Sequence, residues 1–221
     1  MKKVLAIAAV SLMSVTAAQA ATISDSDSVA LQSTNWTDTL TLQKFNPSLG
    51  TLVSVEFLFS GSVSTAFKAE SLDAAPSTLT LTAGASLNFG SPISGPLSVS
   101  KSTTQGVSAF DGSIDFGGSS GVNTTVSESA SGTVTLLSGL GSFIGIDTFD
   151  ITAAATAQST ASGAGNLLSL IQTQAGADVT VTYTYEPGRS PPGGSPVPEP
   201  GTLALLGLGL AGLAASRRRR H

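Results

Sequence analysis

The sequence predicts an all-β fold, an antiparallel sandwich or jelly roll. Three observations predict it. Charged residues make up only 11% of the 221-residue chain, while Gly, Ser, Thr and Ala dominate, a composition suited to strands and turns rather than to exposed helix faces. Apolar residues alternate with Thr or Ser in several separate runs, the period of a strand with one dry and one wet face. Turn-forming residues stand between these runs.

The strand candidates are TLTLQKF (39–45), LVSVEFLF (52–59), STLTLTA (77–83), SGTVTLL (131–137) and DVTVTYTY (178–185). Val and Thr crowd them because branching at Cβ suits a pleated strand. Turns are expected at Asn46-Pro47, Gly50, Ser60-Gly61, Gly90 to Pro92, Gly95-Pro96, Gly117-Gly118 and Gly139 to Gly141. GAGNLLSLIQTQAGA (163–177) is the exception. Its clustered Leu167, Leu168, Leu170 and Ile171, with Asn166 as N-cap and Gly176 beyond the end, read as a helix, with a further strand as the alternative.

The two ends read differently. MKKVLAIAAVSLMSVTAAQAA has a basic start, an apolar run from Val4 to Val15, and small residues at Ala18 and Ala20. That is the three-part layout of a secretory signal peptide. Residues 1–20 are the expected signal helix, cleaved between Ala20 and Ala21 after the Ala18-x-Ala20 pattern, with the Sec export machinery as the implied partner. Residues 21–186 form the expected β domain, long enough to enclose one core. Residues 187–197 are a Pro/Gly-rich linker. Residues 198–221 begin with Pro198-Glu199-Pro200, continue as an apolar run over 202–215, and end in Arg217, Arg218, Arg219, Arg220 and His221. As a helix the run is about 21 Å long, short against a hydrocarbon core of about 30 Å. It spans a membrane only with local thinning and snorkelling arginines. The arginines are expected to stay in the cytoplasm as its anchor.

Charge and missing residues narrow the function. Between residues 21 and 186 thirteen acids face three lysines, Lys44, Lys68 and Lys101. Phosphate binding needs clustered Lys and Arg, so nucleic acid is not expected as a partner. The chain has no Cys, and its one His is His221. Residues 21–186 therefore lack the parts of a Ser–His or Cys–His nucleophile and of ordinary zinc sites. No catalytic residue, cofactor or metal is expected. Three minority readings remain for the domain. Glu56, Glu70, Asp111 and Asp115 are the candidate carboxylates for glycoside hydrolysis, Glu56 with Glu70 the leading pair. Asp25 with Asp27, Asp111 with Asp115, and Asp147 with Asp150 are candidate calcium ligands. Trp36 is the candidate platform for stacking on a sugar. Short Thr-x-Thr runs are read as ordinary outward strand positions rather than an ice-matching array. GLGLAG (207–212) spells a dinucleotide fingerprint, but it follows no predicted strand and no acidic partner comes after it.

VPEPGTLALLGLGLAGLAASRRRR, with Pro-Glu-Pro, apolar run and arginine cluster in that order, resembles the PEP-CTERM sorting signal, a segment also catalogued as an ice-binding protein C-terminal domain. The resemblance implies recognition by an exosortase of a Gram-negative bacterium and cleavage near Pro198 to Pro200. It further implies an inner-membrane intermediate and delivery to the cell surface or extracellular polysaccharide matrix. FNPSLGTLVSVEF (45–57), supported by VTVTYTYEP (179–187), resembles the choice-of-anchor E type of exported domain, which implies a β-rich fold and no known chemistry. The function expected from these segments is that of an exported, non-enzymatic cell-surface or matrix protein. The alternative is a carbohydrate-binding or adhesin module with exopolysaccharide as its ligand.

Overall fold

A computed structural model describes residues 20–188. They form nine strands and two single 3-10 turns: β1 (Ala21–Ser33), β2 (Trp36–Gln43), a turn at Pro47–Leu49, β3 (Gly50–Ser71), β4 (Ser77–Phe89), β5 (Gly95–Val107), β6 (Gly121–Leu136), a turn at Leu140–Phe143, β7 (Thr148–Ala157), β8 (Thr160–Ser162) and β9 (Leu167–Pro187). The expected signal helix over 1–20 falls outside these residues except for Ala20, as does the expected apolar helix over 202–215.

Two antiparallel sheets carry the fold. One has the order β1-β9-β3-β6, the other β2-β7-β4-β5, with the short β8 added to β4. The pairing is nested. β4 pairs β5, β3 pairs β6, β2 pairs β7 and β1 pairs β9. This is one long folded ribbon wound over itself, the topology of a jelly roll. It answers the choice left open by the sequence between a plain sandwich and a jelly roll.

The alternation seen in the sequence is what makes the two sheets stick. Along β3, Val55, Phe57, Val63, Phe67 and Ala69 are buried, with Glu56, Leu58, Ala66 and Lys68 exposed between them. From the opposite sheet Leu40, Leu42, Leu79, Leu81, Leu87 and Ile151 close the core. Each fully buried side chain of this size contributes roughly 1.5–3 kcal/mol. Among the described residues no buried side-chain N or O lacks a hydrogen-bond partner.

Two local expectations are corrected. Ser60-Gly61 is no turn but the middle of β3. Gly61 is there because Leu87 of the facing sheet comes so close that a Cβ would sit 2.7 Å from its Cδ1; the missing side chain serves packing, not chain reversal. Residues 163–177 are no helix. They lead into β9, which pairs with β3 from Leu167↔Ser71 to Pro187↔Gly50. The four apolar side chains that a helix would gather are split by the strand. Leu167 and Ile171 lie half-buried against the core, whereas Leu168 and Leu170 are exposed on the other face. The long hydrogen-bonding edge of β3 outweighs the local helical pattern.

Candidate functional site

Ala21, on the C-terminal side of the expected cleavage, is the first residue of β1. Ala18, Pro198, Glu199, Pro200 and Arg217 to Arg220 lie outside the described residues. The remaining candidates can be followed side chain by side chain.

Asp25 and Asp27 do not form a cation cage. They alternate with outward-facing serines on β1, which turns both carboxylates toward the open edge of β2. Asp27 accepts from the Thr41 backbone N–H at 2.7 Å, and Asp25 from that of Gln43 at 2.7 Å. Asp38 adds a third carboxylate at 2.8 Å from the Thr39 N–H. Alternate N–H groups along an edge strand all point the same way. Three acids thus cover the donors that would otherwise invite another strand.

The other acidic pairs are equally local. Asp147 bonds Lys44 at 2.9 Å, and this hydrogen bond is the main reason its carboxyl titrates below the ordinary value. Asp150 accepts from the Thr41 hydroxyl at 2.9 Å. Asp111 takes the Ser113 N–H at 3.0 Å and the Ser119 N–H at 3.3 Å, and the first of these leads in holding its carboxyl low. Asp115 takes the Gly117 N–H at 2.8 Å. Both belong to the loop between β5 and β6, where they bind their own backbone. Among the described residues no group of three or more metal-ligating side chains converges.

Glu56 and Glu70 share the outer face of β3. Their separation along the strand is roughly 46 Å at about 3.3 Å per residue, far beyond the roughly 5–9.5 Å of a hydrolytic pair. Glu70 is fully buried under the β5–β6 loop. Its two oxygens accept from the Ser120 hydroxyl at 2.6 Å and the Phe116 N–H at 2.7 Å. It fastens the loop and faces no cleft, so this pair is corrected to one exposed acid and one structural one. Trp36 packs half-buried against the core, and its indole N–H donates to the Ala175 carbonyl at 3.1 Å.

A roomier concavity lies where none of these residues sit. β1 leaves its sheet after Ser33, paired there with Gln174 of β9. Near that end of the pairing a groove of about 510 Å³ opens on the outer face of β9, β3 and β6. It is lined by Gln172 and Gln174 of β9, Ser64 and Ala66 of β3, Thr125 of β6 and Ser33 at the rim. No charged side chain lines it. A shallower depression of about 390 Å³ shares Ser64 with it and runs on past Leu31, Ser129 and the carboxylate of Glu128. The two glutamines stood inside the segment read as a helix. The signal that would have found them is the Gln-x-Gln spacing, which puts both amides on one face of a strand.

A smaller pocket of about 240 Å³ opens between the β1 and β2 edges, over Phe45 and Tyr183. The buried Tyr183 hydroxyl donates to the Gln43 carbonyl at 2.7 Å. Burial, assisted by the negative charge of Asp25, pushes its pKa well above the ordinary tyrosine value.

No curated protein matches the chain. Among solved structures, a chain in the structure of infectious bursal disease virus Gx strain is 10% identical and has a TM-score of 0.19, with 83% of this chain and 42% of that one covered. A chain in the Gt-strain structure is 16% identical with a TM-score of 0.13, covering 93% and 54%. This chain thus spans about half the length of those chains or less, and at such scores the likeness carries no argument about it. The family comparison falls on the tail and does not reach residues 21–186. Over residues 196–220 the chain matches the PEP-CTERM protein-sorting motif, and the protein therefore carries a signal that implies exosortase-dependent sorting for export to the envelope or surface of a Gram-negative cell.

Proposed function

We propose that the protein is an exported, non-enzymatic component of the cell surface or extracellular matrix. In this reading Sec delivers it across the inner membrane, the apolar run over 202–215 holds it there with Arg217 to Arg220 in the cytoplasm, and an exosortase cuts near Pro198 to Pro200. The single observation that carries the reading is the sorting motif over 196–220. The lack of His and Cys between residues 21 and 186 and the structural employment of the candidate acids support a role without catalysis.

Intact-mass measurement of protein recovered from the cell surface or medium tests the reading. The expected species starts at Ala21 and has lost the arginine cluster. Glu199→Ala is expected to leave the precursor in the membrane fraction. A surface form that still carries His221 overturns the proposal.

A second reading, a carbohydrate-binding or adhesin module, is favoured by one observation: the uncharged groove lined by hydroxyl and amide side chains.

A further inference from the structure

We infer that the groove over Ser64 and Ala66 is a binding site for a neutral polysaccharide chain, a conclusion that rests on the second reading above and gives it a location. The lining chemistry selects the ligand class. A sugar hydroxyl both donates and accepts, and so do a glutamine amide and a serine or threonine hydroxyl. Gln172 and Gln174 are two positions apart on the outer face of β9, with Ser64 and Thr125 across the groove on β3 and β6. Every polar group offered there is neutral. An ionic ligand would lose water without meeting an opposite charge, which disfavours uronate-type and phosphorylated polymers as well as polycations.

Shape and position add to this. At about 510 Å³ the groove lies within the roughly 300–1,000 Å³ common to small-ligand sites. Its continuation past Ser64 into the shallower depression, where the one charged lining group, Glu128, already pairs with Lys101 at 3.5 Å, suits an extended chain better than a single sugar. Leu31, exposed on that second stretch, offers an apolar surface to the C–H side of a sugar ring. Small side chains keep the passage open: Ala66 stands where a long side chain would fill it. The groove is also far from the chain exit. Pro187 pairs with Gly50 at one end of β3, while Ser64 lies roughly 46 Å along that strand at about 3.3 Å per residue.

The test is affinity electrophoresis of the whole folded protein through gels containing dextran, galactomannan or soluble β-glucan, with alginate as the anionic comparator. Retardation is expected in at least one neutral polymer, unchanged between low and high salt. The double variant Gln172→Ala/Gln174→Ala is expected to weaken it about tenfold or more. Thr80→Ala on the opposite sheet is expected to leave it unaltered. Both variants change outward-facing residues, and thermal unfolding checks that they fold. If the wild type is retarded but the glutamine variant equally so, the groove assignment fails while the carbohydrate reading stands. If no neutral polymer retards the protein, or only alginate does, both fail.

Discussion

Around Phe57 the interior of this jelly roll is aromatic; around Thr65, about 26 Å farther along the same strand, it is hydroxylic. In the first region Phe57, Phe143 and Phe149 meet edge to face with ring centres 5.3–6.1 Å apart. Phe45 stands 5.9 Å from Tyr183 and 5.1 Å from Tyr185. In the second, the fully buried Thr65 reaches Ser159 at 2.9 Å. Ser159 in turn takes a bond from Thr173 at 2.8 Å and one from the Gly84 N–H at 3.0 Å. Glu70 lies beyond, under its loop. One strand thus runs from a region held by area and shape to a region held by paired polar groups. The difference teaches where tolerance to change should lie. Rings lose surface and leave cavities when truncated, whereas a hydroxyl network loses about 1 kcal/mol per neutral bond as long as its remaining members still pair.

The largest expected effect is therefore at Phe57. Phe57→Ala should cost about 3–5 kcal/mol, read by urea unfolding, against about 1 kcal/mol for Thr65→Val. Equal losses at the two sites would break the comparison. An intermediate effect is expected at Glu70. Glu70→Leu removes both acceptors and leaves the buried Phe116 N–H and Ser120 hydroxyl without their partner, which should cost about 1–3 kcal/mol. The β5–β6 loop should become the first site of limited proteolysis. Cleavage first elsewhere would show that the carboxylate does not fasten it.

The smallest effect sharpens the aromatic side. Tyr183→Phe keeps the ring contacts and removes the bond to the Gln43 carbonyl, an expected cost near 1 kcal/mol at neutral pH. Its pH signature is specific. A group whose pKa is raised in the folded state stabilises fully below its unfolded value, near 10.0 here, and that contribution is lost as the pH climbs toward the folded value. The wild type should lose stability above about pH 10, and the variant should lack that part of the slope. An identical alkaline profile would remove Tyr183 from the account. The opposite sign holds for Asp111 and Asp147, whose lowered values stabilise above the ordinary 3.8 and cease to do so as acid titrates them.

Much of the fold was legible because strand alternation is a local property. The runs around 52–59, 77–83 and 178–185 all became strands with the expected side inward. The acids were legible as types but not as roles. Asp25 and Asp27 look like a cation motif in one dimension, and only the arrival of β2 beside β1 turns them into caps for its N–H groups. Gly61 looked like a turn because the residue that requires its bareness, Leu87, is distant in sequence. The groove was illegible for the same reason: its glutamines, serine and threonine come from three strands.

By itself the sequence determined the sorting tail and the all-β class, since both depend on order and spacing within short segments. Only the tertiary structure decided which strands pair, that residues 167–187 serve as one long partner of β3, and that an uncharged groove opens where β1 departs. The physical reason is range. A strand's faces are set by its own side chains, while its neighbours, and whatever hollow they leave, are set by the packing of the whole chain.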